Sequence, residues 1–364
     1  MTRPDKPTLQ QLIIERIQHD GPISFADYMR MALYEPNYGY YVTGPARMGW
    51  SGDYFTSSDV SSLFAHCLGH QLLQLWEQLE RPSPFIVLEQ GAGRGDIARH
   101  VRTWVEQEHP DVPLDYRTAD IHIGQDALTI QPDVSDKPHV IFSNELVDAF
   151  PVHIVHKYEG RLYEVYVDVH HGRLHEVLDE PSNTKVADYL DSYSIRWQDF
   201  EDGWRAEINL DAARWIQRCA SILQTRGFLL TIDYGDEAQA LYTASRPVGT
   251  LATYYQHQFT ERPLARPGEQ DITAHVNFSA LIEEGNKHGL HPTTFTTQGK
   301  WLERMGIQDE LAQLRARDFS ILDTDRASDK GQIAMLQWYN LRQRVSILTD
   351  PGGMGNFKVL LQQS

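Results

Sequence analysis

The chain has 364 residues, of which 41% are hydrophobic, and a formal net charge of −17. That length holds one large domain with insertions or two domains, and the apolar fraction is enough for a packed core, which excludes wholesale disorder. An acidic chain without a basic stripe is excluded as a nonspecific nucleic-acid binder, because such binding rests on Lys and Arg neutralising phosphates.

Taken in chain order, Leu9, Leu12, Ile13 and Ile17 predict a helix capped by Thr8 and broken at Gly21-Pro22. Ser24 caps a second helix over 25–33. A loop over 34–58, dense in aromatics and glycine, is too long to be idle, and a helix over 59–78 follows it. From residue 84 strands and helices alternate. Strands are expected near 85–89, 114–120, 139–143 and 227–233, ending in Glu89, Asp120, Ser143-Asn144 and Asp233-Tyr234. The alternation predicts an α/β fold with a mostly parallel sheet, helices on both faces and ligand contacts at the strands' carboxyl ends. Residues 152–178 read as a β-hairpin about Glu159-Gly160-Arg161. A helix near 278–288, a strand over 291–297, helices over 301–346 and a strand over 356–362 complete the chain. The organisation expected is an N-terminal helical and loop segment over 1–80 covering the site, an α/β core over 81–235, and a substrate-side insertion with closing strands over 236–364.

Cys67 and Cys219 have neither C-x-x-C spacing nor a nearby His pair, so no metal site or disulfide framework is expected. The start lacks an apolar signal core and no apolar run reaches 18 residues, so neither a signal peptide nor a membrane span is expected. A cytoplasmic protein is the resulting expectation.

The most informative stretch is Glu89-Gln90-Gly91-Ala92-Gly93-Arg94-Gly95. It follows the apolar run Phe85-Ile86-Val87-Leu88 and precedes a helix with Ile97, Val101, Trp104 and Val105 on one face. A strand, glycine turn and helix in that order place a nucleotide-like ligand against the strand's end. Glycine there lets the ligand approach the backbone closely. The spacing E-x-G-x-G-x-G is not the dinucleotide fingerprint G-x-G-x-x-G, and it resembles the first motif of class I S-adenosyl-L-methionine (SAM) methyltransferases.

Further motifs stand in order along the chain. They are Tyr28-Met29-x-x-Ala32-Leu33-Tyr34-x-Pro36-x-x-Gly39-Tyr40-Tyr41, Gly52-Asp53-Tyr54-Phe55-Thr56-Ser57, and Asn144-Glu145-x-x-Asp148-Ala149-x-Pro151. Ile232-Asp233-Tyr234-Gly235, Gly249-Thr250-Leu251, Pro267-Gly268-x-x-Asp271-Ile272-Thr273-x-His275-Val276 and Met354-Gly355-x-Phe357-Lys358-Val359-Leu360 follow. Together they resemble the MidA-like SAM-dependent methyltransferases, whose mitochondrial members methylate an arginine on a respiratory complex I subunit. The resemblance implies a Rossmann-like, seven-stranded, mostly parallel sheet, SAM as cofactor and a protein substrate. It departs at Asp120-Ile121-His122, at Ser58-Asp59 and at Asn277; the last two flank the expected acceptor side.

On this reading Glu89, Gly91, Gly93, Gly95 and Asn144 meet the cofactor. Asp120, at the end of the second strand, accepts the ribose hydroxyls. Asp53, Thr56 and Ser57 fold over it. Methyl transfer from a sulfonium needs alignment and the handling of one proton, hence few catalytic side chains. Glu145 and Asp148 offer carboxylates able to grip a guanidinium and accept its proton. His257 and His275 are lesser candidates for a base, and Asp233 and Tyr234 fit a structural role as readily. Two other functions fit the same residues: a methyltransferase-fold assembly factor with little turnover, and a small-molecule O- or N-methyltransferase.

Overall fold

Short continuous apolar runs, buried on both faces, build the middle of the central sheet. The computed structural model describes residues 8–43, 62–120, 136–256 and 258–364. Within them six strands form one sheet: β1 (Phe85–Gln90), β2 (Leu114–Ala119), β3 (Val140–Asn144), β4 (Phe228–Asp233), β5 (His291–Thr297) and β6 (Lys358–Gln363). Their spatial order is β5-β6-β4-β3-β1-β2. β1 pairs in parallel with β2 and β3, and β3 with β4. β6 runs antiparallel to both β4 and β5. The seventh strand expected from the resemblance is not among the described residues; residues 121–135, between β2 and β3, lie outside them.

Alternate residues of each strand face opposite layers. Val87, Phe142, Leu230 and Val359 join a core with α3 (Ser62–Gln78) and α4 (Asp96–Glu108). Leu88, Ile141, Leu229 and Leu360 face the other side, against α5 (Asp211–Ile222) and α6 (Phe278–Lys287). No helix among the described residues is long and apolar enough to cross a membrane.

The N-terminal helices serve a second sheet. α1 (Leu9–Asp20) starts with a capping box between Thr8 and Gln11, and α2 (Phe25–Tyr34) with Ser24 accepting from the Asp27 amide. Their buried faces, Ile13, Ile17, Phe25, Met29 and Leu33, pack with Ile154, Val165 and Val167. The hairpin read at 152–178 is thus part of a five-stranded sheet of 153–158, 161–170, 173–179, 205–208 and the short Ile23–Ser24. By contrast α3, within the same 1–80 segment, packs on the central sheet.

Two sequence motifs prove to be interlocks. Buried Glu207 accepts hydrogen bonds from the Thr250 amide (2.8 Å), the Thr250 hydroxyl (2.8 Å) and the Leu251 amide (3.2 Å). This ties the 249–251 motif to the second sheet. Tyr41 donates to buried Asp271 at 2.7 Å, joining the N-terminal motif to the one at 267–276.

Candidate active site

The carboxyl ends of β1, β2, β3 and β4 converge, as parallel pairing requires. After β1 the chain turns through Gly91, Gly93 and Gly95 at φ of +71°, +54° and +72°, a region L side chains disfavour. The Gly91 amide donates to the Ala119 carbonyl at 2.9 Å, and the Gly93 amide donates to the Asp120 carboxylate. These bonds clamp the glycine turn to the end of β2. A Cβ on Gly91 would stand 2.9 Å from Leu146 Cδ1, whereas one on Gly95 would meet nothing within 4 Å. A side chain at the first glycine would therefore push the Leu146 side chain of the turn after β3, whereas the third glycine opens outward at the start of α4.

Glu89 is buried at the end of β1, where the Tyr116 hydroxyl donates to it at 3.0 Å. Burial pushes its carboxyl up to about 7, against the hydrogen bond from Tyr116.

The turn after β3 is bent sharply. Glu145 has a φ of +50°, and its amide donates to the Ile232 carbonyl at 2.9 Å. The Asn144 side-chain amide donates to Glu145 Oε1 at 3.2 Å, while Asn144 Oδ1 is buried with no partner among the described residues. Asp233, ending β4, holds the next turn. Its Oδ2 accepts from the amides of Leu146 (3.2 Å) and Val147 (2.9 Å), and its Oδ1 from the Tyr234 amide (2.9 Å).

Asp148 lies behind Glu145 and is buried. The Tyr234 hydroxyl donates to its Oδ2, and its Oδ1 is buried without a hydrogen-bond partner among the described residues. Burial pushes the Asp148 carboxyl up to about 7; the Tyr234 bond opposes this and the Glu145 charge adds to it. Asp233 is raised well above the usual carboxylate range, first by burial and then by the charge of Asp148. Tyr34 donates to the Ala149 carbonyl at 2.7 Å, so α2 braces the same turn.

The structure thus brings Glu89, Gly91, Gly93, Gly95, Asp120, Asn144, Glu145 and Asp148 to one edge of the sheet. Asp53, Thr56, Ser57 and His257 lie outside the described residues, as do residues 58–59 and 121–122. His275 stacks edge-on against Tyr234, ring centres 5.4 Å apart. Asn277 is buried and caps α6, accepting from the Ala280 amide at 3.3 Å, and donates to the Tyr189 hydroxyl at 3.1 Å. Spacing alone gave no sign of Tyr116, Leu146 or the grip of Asp233 on the 146–147 amides, because each depends on which strands become neighbours. The residues fit a SAM-like group. Left-handed glycines open the turn, carboxylates end β1 and β2, and Asn144 Oδ1 is an orphaned buried acceptor at the same edge.

Comparison with known proteins agrees with this geometry. Residues 67–124 and 126–296 match the family described as "Putative S-adenosyl-L-methionine-dependent methyltransferase". The chain is 27% identical to the mitochondrial protein arginine methyltransferase NDUFAF7 homolog of Drosophila melanogaster, over 97% of this chain and 84% of that protein. It is 28% identical to the mitochondrial NDUFAF7 of Homo sapiens, over 85% of this chain and 76% of that one. A Burkholderia thailandensis protein crystallised with S-adenosyl-homocysteine superposes with a TM-score of 0.80 at 25% identity, covering 98% of this chain and 92% of that one. The relatives are named as mitochondrial, which overturns the expectation of a cytoplasmic protein. The glycine turn, the sheet order around it and the family match lead to one conclusion: the chain belongs to the SAM-dependent methyltransferases, and SAM is its cofactor.

Proposed function

We propose that the chain methylates an arginine nitrogen of a protein, with the 144–148 turn on the acceptor side. The observation that carries this reading is the carboxylate pair on that turn. Glu145 is half-buried, while Asp148 is buried with one oxygen held by Tyr234 and the other without a hydrogen-bond partner among the described residues. A guanidinium stays protonated at neutral pH and delocalises its lone pairs. Paired carboxylates localise that charge and accept the proton released on transfer. The relatives named as protein arginine methyltransferases support the same acceptor.

SAM supplies the activated methyl group and its own leaving group. Toward it, Gly91, Gly93 and Gly95 open the backbone, Asp120 faces the ribose, and Glu89 and Asn144 complete the lining. The second sheet, with α1, α2 and residues 236–297, forms the acceptor side, since Tyr34 reaches Ala149 and Ala274 donates to the Asp148 carbonyl at 3.0 Å.

Glu145→Gln keeps the shape and removes the charge. Its SAM affinity should stay near wild type while turnover on an arginine-bearing acceptor falls about a hundredfold or more. Equal loss of both would move Glu145 to the cofactor; full activity would remove it from the mechanism.

A further inference from the structure

Beyond the end of β4 the chain closes a second depression beside the 144–148 turn. Tyr234, Arg246, Tyr254, Thr273, His275 and Asn356 line a cleft of about 280 Å³. Tyr234 is the wall between turn and cleft. Its hydroxyl donates to Asp148, and its ring packs edge-on against His275, centres 5.4 Å apart. The cleft therefore lies one side chain away from the carboxylates of the turn.

Its charge is the reverse of theirs. Arg246 is half-buried and makes no ion pair among the described residues. Its Nη1 is buried without a hydrogen-bond partner among them. The charge of Lys358 is felt at His275, but Asp236 offsets it at 3.6 Å, and the ammonium donates to the Asn356 carbonyl at 3.2 Å. His275 adds no charge at neutral pH: burial holds its imidazole down at about 4, and the Arg246 guanidinium pushes the same way. Arg246 is thus the uncompensated cation of this cleft, in a chain whose net charge is −17. Thr273, 2% exposed, lines the same cleft with a buried Oγ1 that also lacks a partner among the described residues. A guanidinium is a fork of five donors. Burying such a donor unmet costs free energy, which a carboxylate in bidentate contact restores.

We propose, resting on the 144–148 turn as the acceptor side, that this cleft binds a carboxylate of the methyl acceptor and that Arg246 selects it. The acceptor is then recognised as a pair of opposite charges. Glu145 and Asp148 take the target guanidinium, and Arg246 takes a carboxylate on the far side of Tyr234. Arg246 sets specificity and has no part in the transfer itself. An extended peptide rises about 3.3 Å per residue, so a cleft one tyrosine away is reached from roughly three positions on either side of the arginine. An acidic side chain there, or the acceptor's C-terminus, supplies the carboxylate.

Synthetic peptides test this. Each carries one arginine in a background of Gly, Ser and Ala, an amidated C-terminus, and Glu, Gln or Lys at one flanking position. Two measurements use the full chain: kcat and KM with labelled SAM, and the affinity of the chain loaded with S-adenosyl-homocysteine for fluorescent peptide. Glu at a favoured position should lower KM and Kd about tenfold to a hundredfold against Gln, the worth of a charge-assisted contact, with kcat little changed. Arg246→Gln should erase that preference while SAM affinity stays at wild type. Arg246→Lys should keep part of it, and Arg246→Glu should shift it to Lys. A Gln peptide with a free C-terminus that shows the same gain, and the same loss in Arg246→Gln, would identify the chain end as the source. Arginine methylation with no carboxylate preference, or with one that survives Arg246→Gln, overturns the proposal and leaves arginine transfer standing. So does a loss of kcat alone in that variant. Arg246-dependent binding of Glu peptides with no label in arginine upholds the cleft and removes arginine as acceptor. Peptides that neither bind nor react overturn the proposal.

Discussion

Removing the Tyr234 hydroxyl tests the acceptor-side chemistry most sharply. Burial drives the Asp148 carboxyl up to about 7, and the hydrogen bond from Tyr234 is the largest influence opposing it. In Tyr234→Phe the ionised carboxylate loses a charge-assisted donor, worth about 1.5–3 kcal/mol. At about 1.4 kcal/mol per pH unit, that moves ionisation upward by roughly one to two units. If ionised Asp148 receives the proton, the ascending limb of the rate profile should move from near pH 7 to about 8–9. At pH 7 the rate should fall roughly fivefold to fiftyfold and recover toward pH 9. Because Asp233 adjoins Asp148, the limb belongs to the pair and not to one residue. Stability follows the same sign. A group whose folded-state pKa is raised contributes fully below its unfolded value and loses that contribution as pH rises through the folded one. Initial rates with labelled SAM from pH 6 to 9.5, alongside urea unfolding, provide the assay. A uniform rate loss with an unshifted limb would refute the reasoning.

Two further outcomes are expected. Gly91→Ala and Gly95→Ala both force an L side chain to positive φ, costing about 1–2 kcal/mol each, but only the first meets Leu146. Gly91→Ala should therefore also weaken catalysis through the 144–148 turn, and Leu146→Ala should partly restore it; equal defects at the two glycines would contradict this. Glu89→Gln removes a carboxyl whose folded-state value is raised to about 7. Wild type should lose stability from about pH 4.5 through pH 7 as that group is forced to ionise, while the variant should not. At pH 8 the variant gains up to about 3 kcal/mol in urea unfolding, and identical pH profiles would remove the buried charge from the account.

Local patterns fixed most of the central layers. The apolar runs at 85–88, 140–142 and 228–232 are buried on both faces, so they read as strands without knowledge of their neighbours. Thr8 and Ser24 marked their helix starts for the same local reason. The short strands at 205–208 and 271–273 were illegible, because their pairing comes from partners far along the chain. The site divided in the same way. Glu89 and the three glycines were visible as a motif. Tyr116 was not visible, and Tyr234 stood in a motif without its partner, since the bonds to Glu89 and Asp148 exist only once β2 and β4 take their places around β1 and β3. At Asn277, a departure from the family pattern, the sequence alone did not show the helix cap that the side chain makes.

On the proposed function, the methyl group of SAM passes to an arginine nitrogen. Incubation of the full chain and methyl-labelled SAM with a mixture of candidate protein acceptors, followed by total acid hydrolysis and separation of the labelled amino acids, tests it directly. Label is expected in N-methylated arginine and should be lost in Glu145→Gln. Label confined to another residue, to an ester released by mild base, or to a small molecule would contradict it.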